Sequence, residues 1–146
     1  MARVSTYLNF PGNTEAAFEF YRSVFGTPFD GAGIMRMRDM PASPGQPPVP
    51  EAQRDLVMHV SLPILGGHRL MGTDATESMG FKLVAGNNVF INLEPDTRTE
   101  TDRLFAALAA GGQVQMPLQE MFWGDYFGSL VDKFGVQWMF NCASKT

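Results

Sequence analysis

The sequence predicts an α+β fold built from two copies of a strand–helix–three-strand (βαβββ) module. The segments Tyr7-Leu-Asn-Phe10 and Phe90-Ile-Asn-Leu93 are near copies, each with asparagine at the third place. Each leads into a helical pattern that ends at glycine, and then into several strand-like stretches that close in a hairpin. An internal duplication is the economical explanation of this repeated order. A single module cannot cover one face of its own sheet, which favours pairing of two halves or of two chains.

The chain of 146 residues is long enough for one domain with a substantial core, and we place its internal modules at about 1–75 and 87–146. Its apolar content of 45% and charged content of 18% are typical of a globular protein. A formal net charge of −4 favours neither a nucleic-acid partner nor an anionic membrane. No apolar run is long enough to span a bilayer, no signal-peptide core is present, and there is one cysteine. We therefore expect a cytoplasmic protein.

The first module begins with a predicted strand over residues 3–10, which Pro11-Gly12 ends. Asn13 or Thr14 is expected to cap the following helix, because either side chain can accept a hydrogen bond from a free backbone N–H. The spacing of apolar residues predicts a core face on this helix, and a glycine follows as its stop: Ala17, Phe18, Tyr21, Val24, Phe25 and then Gly26.

Three more strands complete this module, and the alternation of side chains places them over residues 33–38, 56–65 and 68–73. The last two flank Gly66-Gly67, which is typical of a hairpin turn. Residues 39–55 hold half of the chain's ten prolines, a density that excludes regular elements. A loop of this length inside a compact domain is a lid or a mobile insertion, and we favour a lid.

The second module repeats the order with predicted strands over 89–93 and 113–116. Between them, Thr99-Glu-Thr-Asp102 resembles a capping box that opens a helix. The helix has an apolar face and two closing glycines: Leu104, Phe105, Leu108, Gly111 and Gly112. The chain ends in two strands, near 126–131 and 136–141, around the turn Asp132-Lys-Phe-Gly135.

The stretch from Met121 to Asn141 contains both tryptophans of the protein, Trp123 and Trp138. One interpretation is an ordinary hydrophobic hairpin at the end of a core. The other is that two bulky rings and the acidic Asp125 line a cavity for a small molecule. The pattern alone favours the first interpretation.

The chain resembles the vicinal oxygen chelate superfamily, which includes glyoxalases, bleomycin-resistance proteins and extradiol dioxygenases, and within it the PhnB-like branch. The resemblance covers nearly the whole chain apart from the proline-rich segment, and the closing run is its most specific part. The residues that carry it are Tyr7-Leu-Asn-Phe-Pro-Gly-Asn13, Glu15 to Gly26, Met58-His59, Leu104 to Gly112, Gln115-Met-Pro-Leu118, Phe122-Trp123-Gly124, Asp132-Lys-Phe-Gly135 and Trp138-Met139. The resemblance implies paired βαβββ modules forming a cupped sheet around a cavity, usually in a homodimer.

Metal-using relatives hold a divalent ion with His and Glu side chains from the first and last strands of each module. The corresponding stretches here contain no His, Asp or Glu; they are 6–9, 70–73, 90–92 and 138–141. A divalent site needs about three ligands aimed at one point, and amides or threonine hydroxyls are weak substitutes. We therefore expect no metal site and no other cofactor.

The remaining polar candidates are few. His59 lies in the middle of a strand, where it is either a buried structural residue or a base or polar anchor facing the cavity. Its match to the PhnB-like pattern makes the two alternatives comparable. His68 follows a turn and is expected to be solvated. Asp74 and Glu94 stand at strand ends, where carboxylates are usually exposed, and Cys142 has no recognisable base partner.

Four functions follow from these residues. The first is metal-independent binding of a small, partly aromatic or amphipathic molecule, whether or not it then reacts. Its apolar wall would be Phe122, Trp123, Tyr126 and Trp138, and its polar anchors Asn9, His59, Asn92 and Asp125. The second is a metal-dependent isomerase, lyase or dioxygenase that uses His59 with Asp74 or Glu94.

The third function comes from the label demethylubiquinone methyltransferase, which some relatives carry. A methyl-donor site normally has a glycine-rich turn between a parallel strand and a helix. Here Gly66-Gly67 is predicted to join two strands and Gly111-Gly112 to end a helix, so this function is disfavoured. The fourth is a structural or partner-binding module without a ligand, with the ten methionines filling its core or giving it an adaptable surface.

Overall fold

The protein divides into two compact units, Met1–Leu83 and Val84–Thr146, in a computed structural model that describes all residues 1–146. Each unit contains one of the two predicted modules and has the same order of elements, strand, helix and three strands. The predicted α+β class with two βαβββ modules is confirmed. None of the helices combines the length and the hydropathy that crossing a membrane would require.

The first unit is a four-stranded mixed sheet with one long helix. The spatial strand order is β1-β4-β3-β2, in which β1 runs parallel to β4 and the other neighbours are antiparallel. Its elements are β1 (Thr6–Phe10), α1 (Thr14–Phe25), β2 (Met35–Arg36), β3 (Val57–Pro63) and β4 (Arg69–Asp74).

The second unit repeats this topology. Its strand order is β5-β8-β7-β6, again with one parallel pair, β5 with β8, and two antiparallel pairs. Its elements are β5 (Ile91–Leu93), α2 (Arg98–Ala109), β6 (Gln113–Glu120), β7 (Tyr126–Val131) and β8 (Gln137–Cys142).

Each sheet has one face that packs against the helix of its own unit. In the first unit the ring of Phe18 lies so close to Gly72 that a Cβ there would come within 2.4 Å of it. In the second unit the rings of Phe105 and Phe140 meet at 5.3 Å between centroids. Because side chains alternate along a strand, these contacts define the covered face, and the intervening residues form the opposite face. We call that opposite face the open face of each unit.

The helix caps differ from the sequence prediction. The Asn13 side chain makes no capping hydrogen bond to α1. Instead, Asp74 at the end of β4 accepts hydrogen bonds from the Thr14 amide (3.0 Å), the Thr14 hydroxyl (2.6 Å) and the Val57 amide (2.8 Å). The expectation that Asp74 is an exposed carboxylate is therefore wrong, since its side chain is the buried cap that joins helix and sheet.

Helix α2 begins at Arg98, one residue before the predicted capping box. Its cap is Thr97, whose hydroxyl oxygen accepts a hydrogen bond from the Glu100 amide at 3.1 Å. Glu100 instead forms an ion pair with Arg103 one turn later. The capping-box motif thus predicted the start of α2 to within one turn, but the cap is Thr97 and not Thr99.

Strands β2 and β6 differ most in length from their predictions. Strand β2 is only Met35–Arg36, because the chain then turns and the Met37 amide donates to the Leu56 carbonyl (2.9 Å). Strand β6 extends to Glu120 through Pro117. That proline lies on an edge strand, within a register irregularity, where no ladder hydrogen bond is lost.

Candidate functional site

The open face of the first unit carries polar side chains from β1, β3 and β4. The register of β1 and β4 pairs Tyr7 with Met71 and Asn9 with Thr73. These four side chains alternate along their strands with the residues that face helix α1, so they lie on the open face. His59 in β3 belongs to the same face. The predicted candidates Asn9 and His59 therefore share one sheet surface.

A hydrogen-bonded pair of rings lies on this face. The Tyr7 hydroxyl and Nδ1 of His59 are 3.3 Å apart, and the ring centroids are 5.8 Å apart. Tyr7 comes from β1 and His59 from β3, so the pair reaches across β4, and half of Tyr7 is exposed. Because Tyr7 engages Nδ1, Nε2 of His59 remains available to a bound molecule, as donor or acceptor according to the tautomer.

Asp30 joins β3 and β4 at another part of this face. Its Oδ2 accepts hydrogen bonds from the Ser61 hydroxyl (2.8 Å) and from Nε of Arg69 (2.9 Å). The Ser61 hydrogen bond and, after it, the Arg69 guanidinium lower the pKa of Asp30 below 3.8. The carboxylate is therefore held ionised beside the open face.

Replacing Ser61 with alanine should raise the pKa of Asp30, because the hydroxyl is the largest contributor to its lowering. The Asp30 carboxyl carbon, followed by NMR titration, should have its midpoint below 3.8 in the wild type and closer to 3.8 in Ser61→Ala. Since the folded-state pKa is lowered, Asp30 contributes stability above about pH 4 that is lost as the pH falls through the folded value. Ser23→Ala, an exposed helix position whose hydroxyl contacts only its own turn, is the matched control. An unchanged Asp30 midpoint in Ser61→Ala would contradict the assignment.

The open face of the second unit combines an amide–carboxylate pair with exposed rings. Nδ2 of Asn141 donates to Oδ2 of Asp125 at 2.8 Å, and Asn141 is paired in register with Phe127. Trp123 meets Phe127 edge-on at 6.1 Å between centroids, and its own exposure is 48%. Asn92 lies on the same face, opposite Met139 of β8. Three predicted candidates, Asn92, Trp123 and Asp125, therefore belong to this surface.

Two of the predicted wall residues lie on the other side of the sheet. Trp138 is fully buried on the helix-covered face, and its Nε1 donates to Oδ2 of the buried Asp132 at 2.8 Å. The Tyr126 hydroxyl donates to Asp102 of α2 (2.6 Å), a hydrogen bond that raises the pKa of Tyr126, and Arg98 lies over its ring at 4.9 Å. We therefore correct the expectation for Trp138 and Tyr126, because strand alternation points both side chains into the packing of their own unit.

Phe122 projects from the turn between β6 and β7. Its side chain is 97% exposed and touches Trp123 edge-on at 5.0 Å. It is next to the open face rather than within it.

Sequence reasoning missed Tyr7, Phe127 and Asn141. Tyr7 belongs to the repeated strand segment and stands two residues before Asn9, so the two side chains must share a face. Asn141 likewise stands two residues after Met139. The period of two along each strand was sufficient to find these side chains once one residue of the face had been assigned.

The residues at the metal-holding positions of the superfamily do not fit a divalent ion. The Thr73 hydroxyl donates to the carbonyls of Val57 (3.2 Å) and Met58 (2.8 Å), and the Asn141 amide is engaged with Asp125. Within either unit, no three side chains of the His, Cys, Asp and Glu types converge on one point. Asp74 does not share a face with His59, because its carboxylate caps α1.

Comparison with known proteins identifies the family. A family model described as 3-demethylubiquinone-9 3-methyltransferase matches residues 2–140. The chain belongs to this family. Protein YjdN of Escherichia coli (strain K12) is 32% identical over an alignment of 146 positions that covers 94% of this chain and 93% of YjdN.

Solved structures of this family and its wider fold superpose well. Protein PA1353 from Pseudomonas aeruginosa has 34% identity and a TM-score of 0.77, with 97% of this chain and 98% of PA1353 covered. A putative 3-demethylubiquinone-9 3-methyltransferase, PhnB protein, from Bacillus cereus has 26% identity and a TM-score of 0.72, with 97% and 100% covered.

The fold also extends beyond the family. A glyoxalase/bleomycin resistance protein/dioxygenase family enzyme from Burkholderia phytofirmans PsJN has 22% identity and a TM-score of 0.61, with 95% of this chain and 98% of that chain covered. At that identity the likeness shows the fold alone. The chain is thus a PhnB-like protein with the glyoxalase/bleomycin-resistance fold.

Proposed function

We propose that this PhnB-like protein binds a small, partly aromatic or amphipathic molecule on the open faces of its sheets, without a metal ion. The observation that carries the proposal is the Tyr7–His59 pair, a half-exposed phenol ring hydrogen-bonded to an imidazole in the middle of a sheet face. If the two side chains were mobile on the surface, each ring would be solvated separately. Here the hydrogen bond between them orients each ring with respect to the other. Such a pair offers a bound molecule an apolar surface and one directed hydrogen-bonding nitrogen.

The chemistry of the face favours a neutral or weakly polar ring system. The Tyr7 ring and the Met71 side chain supply apolar contact, and Nε2 of His59 and the exposed Asn9 amide supply hydrogen bonds to a hydroxyl or carbonyl group. The charged groups on this face, Asp30 and Arg69, form an ion pair with each other, so neither needs a charged group on the ligand.

The second unit offers a similar mixture of groups. Trp123 and Phe127 present ring surface, and the Asp125–Asn141 pair presents an oriented carboxylate and amide. Asn92 adds a second exposed amide. We include these residues in the proposal because tryptophan combines large contact area with few rotatable bonds, a property typical of binding surfaces.

The two enzymatic alternatives have less support. A metal site built on His59 with Asp74 would have to remove three hydrogen bonds from the Asp74 carboxylate. The methyltransferase activity in the family description would need a methyl-donor site, but Gly66-Gly67 connects the antiparallel strands β3 and β4. Neither alternative has a site within one unit to which we can assign its chemistry.

We also propose a homodimer and a cytoplasmic location. The edge strand β6 exposes Val114 and Met116, and an exposed edge with apolar side chains is a surface that a second chain commonly covers. Cys142 is buried and not in a disulfide, which suits a reducing compartment.

Replacing His59 with alanine should weaken binding of phenol, a neutral ring with one hydroxyl group. Amide chemical shifts of the wild type should move at Tyr7, His59 and Met71 as phenol is added. Loss of the imidazole removes one hydrogen bond and part of the apolar wall, so the dissociation constant should rise by about three- to tenfold. His68→Ala is the matched control. The His68 imidazole is hydrogen-bonded to the Thr6 hydroxyl and does not belong to the Tyr7–His59 pair.

Native mass spectrometry of the freshly purified protein tests the rest of the proposal. A dimer mass with no metal and with a retained organic molecule would support it. A stoichiometric divalent ion that chelation removes together with an activity, or equal phenol affinity in the wild type and in His59→Ala, would refute it.

A further inference from the structure

A row of four side chains crosses the open face of the second unit, one from each strand. Register pairs Ser129 of β7 with Met116 of β6 on one side and with Met139 of β8 on the other. Met139 is paired in turn with Asn92 of β5. Residues paired in register point to the same face of a sheet, and neighbouring strands are about 4.8 Å apart. The row therefore places one hydroxyl between two thioethers, with an amide at its end.

The Ser129 hydroxyl has no hydrogen-bond partner in the protein, although the residue is only 8% exposed. A Cβ on the neighbouring Gly128 would come within 3.0 Å of the Phe105 ring of α2, so Ser129 itself points to the open face. Every side-chain oxygen or nitrogen that solvent cannot reach is paired, so the unpaired Ser129 oxygen is accessible from that face. A largely buried polar group without a hydrogen bond lowers stability, and a bound molecule that pairs with it removes this cost.

Ser61 in the first unit is a structural serine in a closely similar setting. It is also 8% exposed, lies on the open face of its own sheet and is paired in register with a methionine, Met71. Its hydroxyl, however, donates to the Asp30 carboxylate at 2.8 Å. No acceptor takes that place beside Ser129. The Ser61 hydroxyl therefore serves the fold, whereas the Ser129 hydroxyl is available to a ligand.

We propose that the Ser129 hydroxyl donates a hydrogen bond to the carbonyl oxygen of a neutral ligand with a flat apolar body. This inference rests on the proposed function and names the group that the second unit recognises. The thioethers of Met116 and Met139 flank the hydroxyl and supply polarisable contact to a ring. The Asp125 carboxylate and the Asn141 amide oxygen already offer acceptors on this face, so Ser129 adds a donor. The same carboxylate disfavours an anionic ligand.

The stability of two serine variants without ligand gives the first test. Ser129→Ala should have a urea midpoint at or above that of the wild type, because no hydrogen bond within the protein is lost. Ser61→Ala is the matched control of the same residue type and burial, and its midpoint should be lower, because the bond to Asp30 is lost. A midpoint in Ser129→Ala that falls as far as in Ser61→Ala would show that the Ser129 hydroxyl is structural and would overturn the proposal.

Acetophenone and 2-phenylpropene, followed by amide chemical shifts, test the class of ligand. The two molecules have nearly the same shape, but a CH2 group replaces the carbonyl oxygen in the second. Acetophenone should shift the amides of Phe127, Ser129 and Met139 in the wild type, and it should bind Ser129→Ala about three- to tenfold more weakly. 2-Phenylpropene should bind the wild type and Ser129→Ala equally, and acetophenone should bind Ser61→Ala like the wild type.

Three results of this titration would overturn the proposal. Acetophenone could leave the amides of β7 and β8 unshifted, or it could bind the wild type and Ser129→Ala equally. The third result is an equal loss of affinity for both molecules in Ser129→Ala, because the substitution would then act through shape and not through the hydrogen bond. The phenol titration of His59→Ala tests the proposed function separately, since His59 belongs to the first unit.

Discussion

Replacing Asp74 with alanine should lower the free energy of unfolding by about 3 kcal/mol, because three buried donors lose their acceptor. Two donors belong to Thr14, the first residue of α1, and one is the Val57 amide at the start of β3. The carboxylate therefore ties the helix, β3 and β4 together at a single point. Its loss leaves the first turn of α1 without its cap as well as leaving buried polar groups unpaired.

Urea denaturation followed by far-ultraviolet circular dichroism measures this effect. Glu94→Ala is the matched control, since Glu94 follows the first strand of the second unit but is exposed, and its stability should stay within about 0.5 kcal/mol of the wild type. The free energy of unfolding of Asp74→Asn should lie between those of Asp74→Ala and Glu94→Ala, because the amide retains only one acceptor oxygen. Wild-type stability in Asp74→Ala would show that the carboxylate is not the cap of α1.

Replacing Trp138 with alanine should destabilise the protein by about 3–5 kcal/mol, the usual cost of removing a fully buried large ring. The ring is buried on the helix-covered face of β8, and its Nε1–H donates to one oxygen of the buried Asp132. Trp138→Phe should lose less stability than Trp138→Ala, because it keeps most of the ring volume and loses mainly the hydrogen bond. Trp123→Ala should cost less than about 1 kcal/mol, because that ring is about half exposed.

Fluorescence quenching distinguishes the two tryptophans without relying on stability. In Trp123→Ala the remaining emission comes from Trp138 and should be shielded from acrylamide. In the native state of Trp138→Phe it comes from Trp123 and should be quenched readily. If Trp138 were the accessible ring instead, the placement of β8 with respect to α2 would be wrong.

The local elements of the fold were predictable from the sequence because their signals lie within a few neighbouring residues. Helix α1 spans Thr14–Phe25 and buries Ala17, Phe18, Tyr21 and Val24, as the spacing predicted. The final hairpin has its turn at Asp132-Lys-Phe-Gly135, where Gly135 adopts a positive φ of 89°. The repeat of an asparagine-bearing strand predicted two modules of the same design, and the two sheets have matching strand orders.

The candidate site was only partly predictable, because alternation along a strand separates two faces but does not say which of them meets the helix. Trp138 and Asn141 lie in the same strand, and only the packing of α2 assigns the first to the core and the second to the open face. The role of Asp74 depends on Thr14, sixty residues earlier in the chain. No local pattern carries that information.

The sequence by itself thus determined the order of elements, their repetition and the absence of imidazoles and carboxylates from four strand segments, since each of these is a property of neighbouring residues. The tertiary structure alone decided which rings are core, which carboxylate is a cap and which polar side chains meet on one surface. The physical reason is that burial and hydrogen bonding at these positions join residues distant in the chain, and only the folded backbone brings such partners within reach.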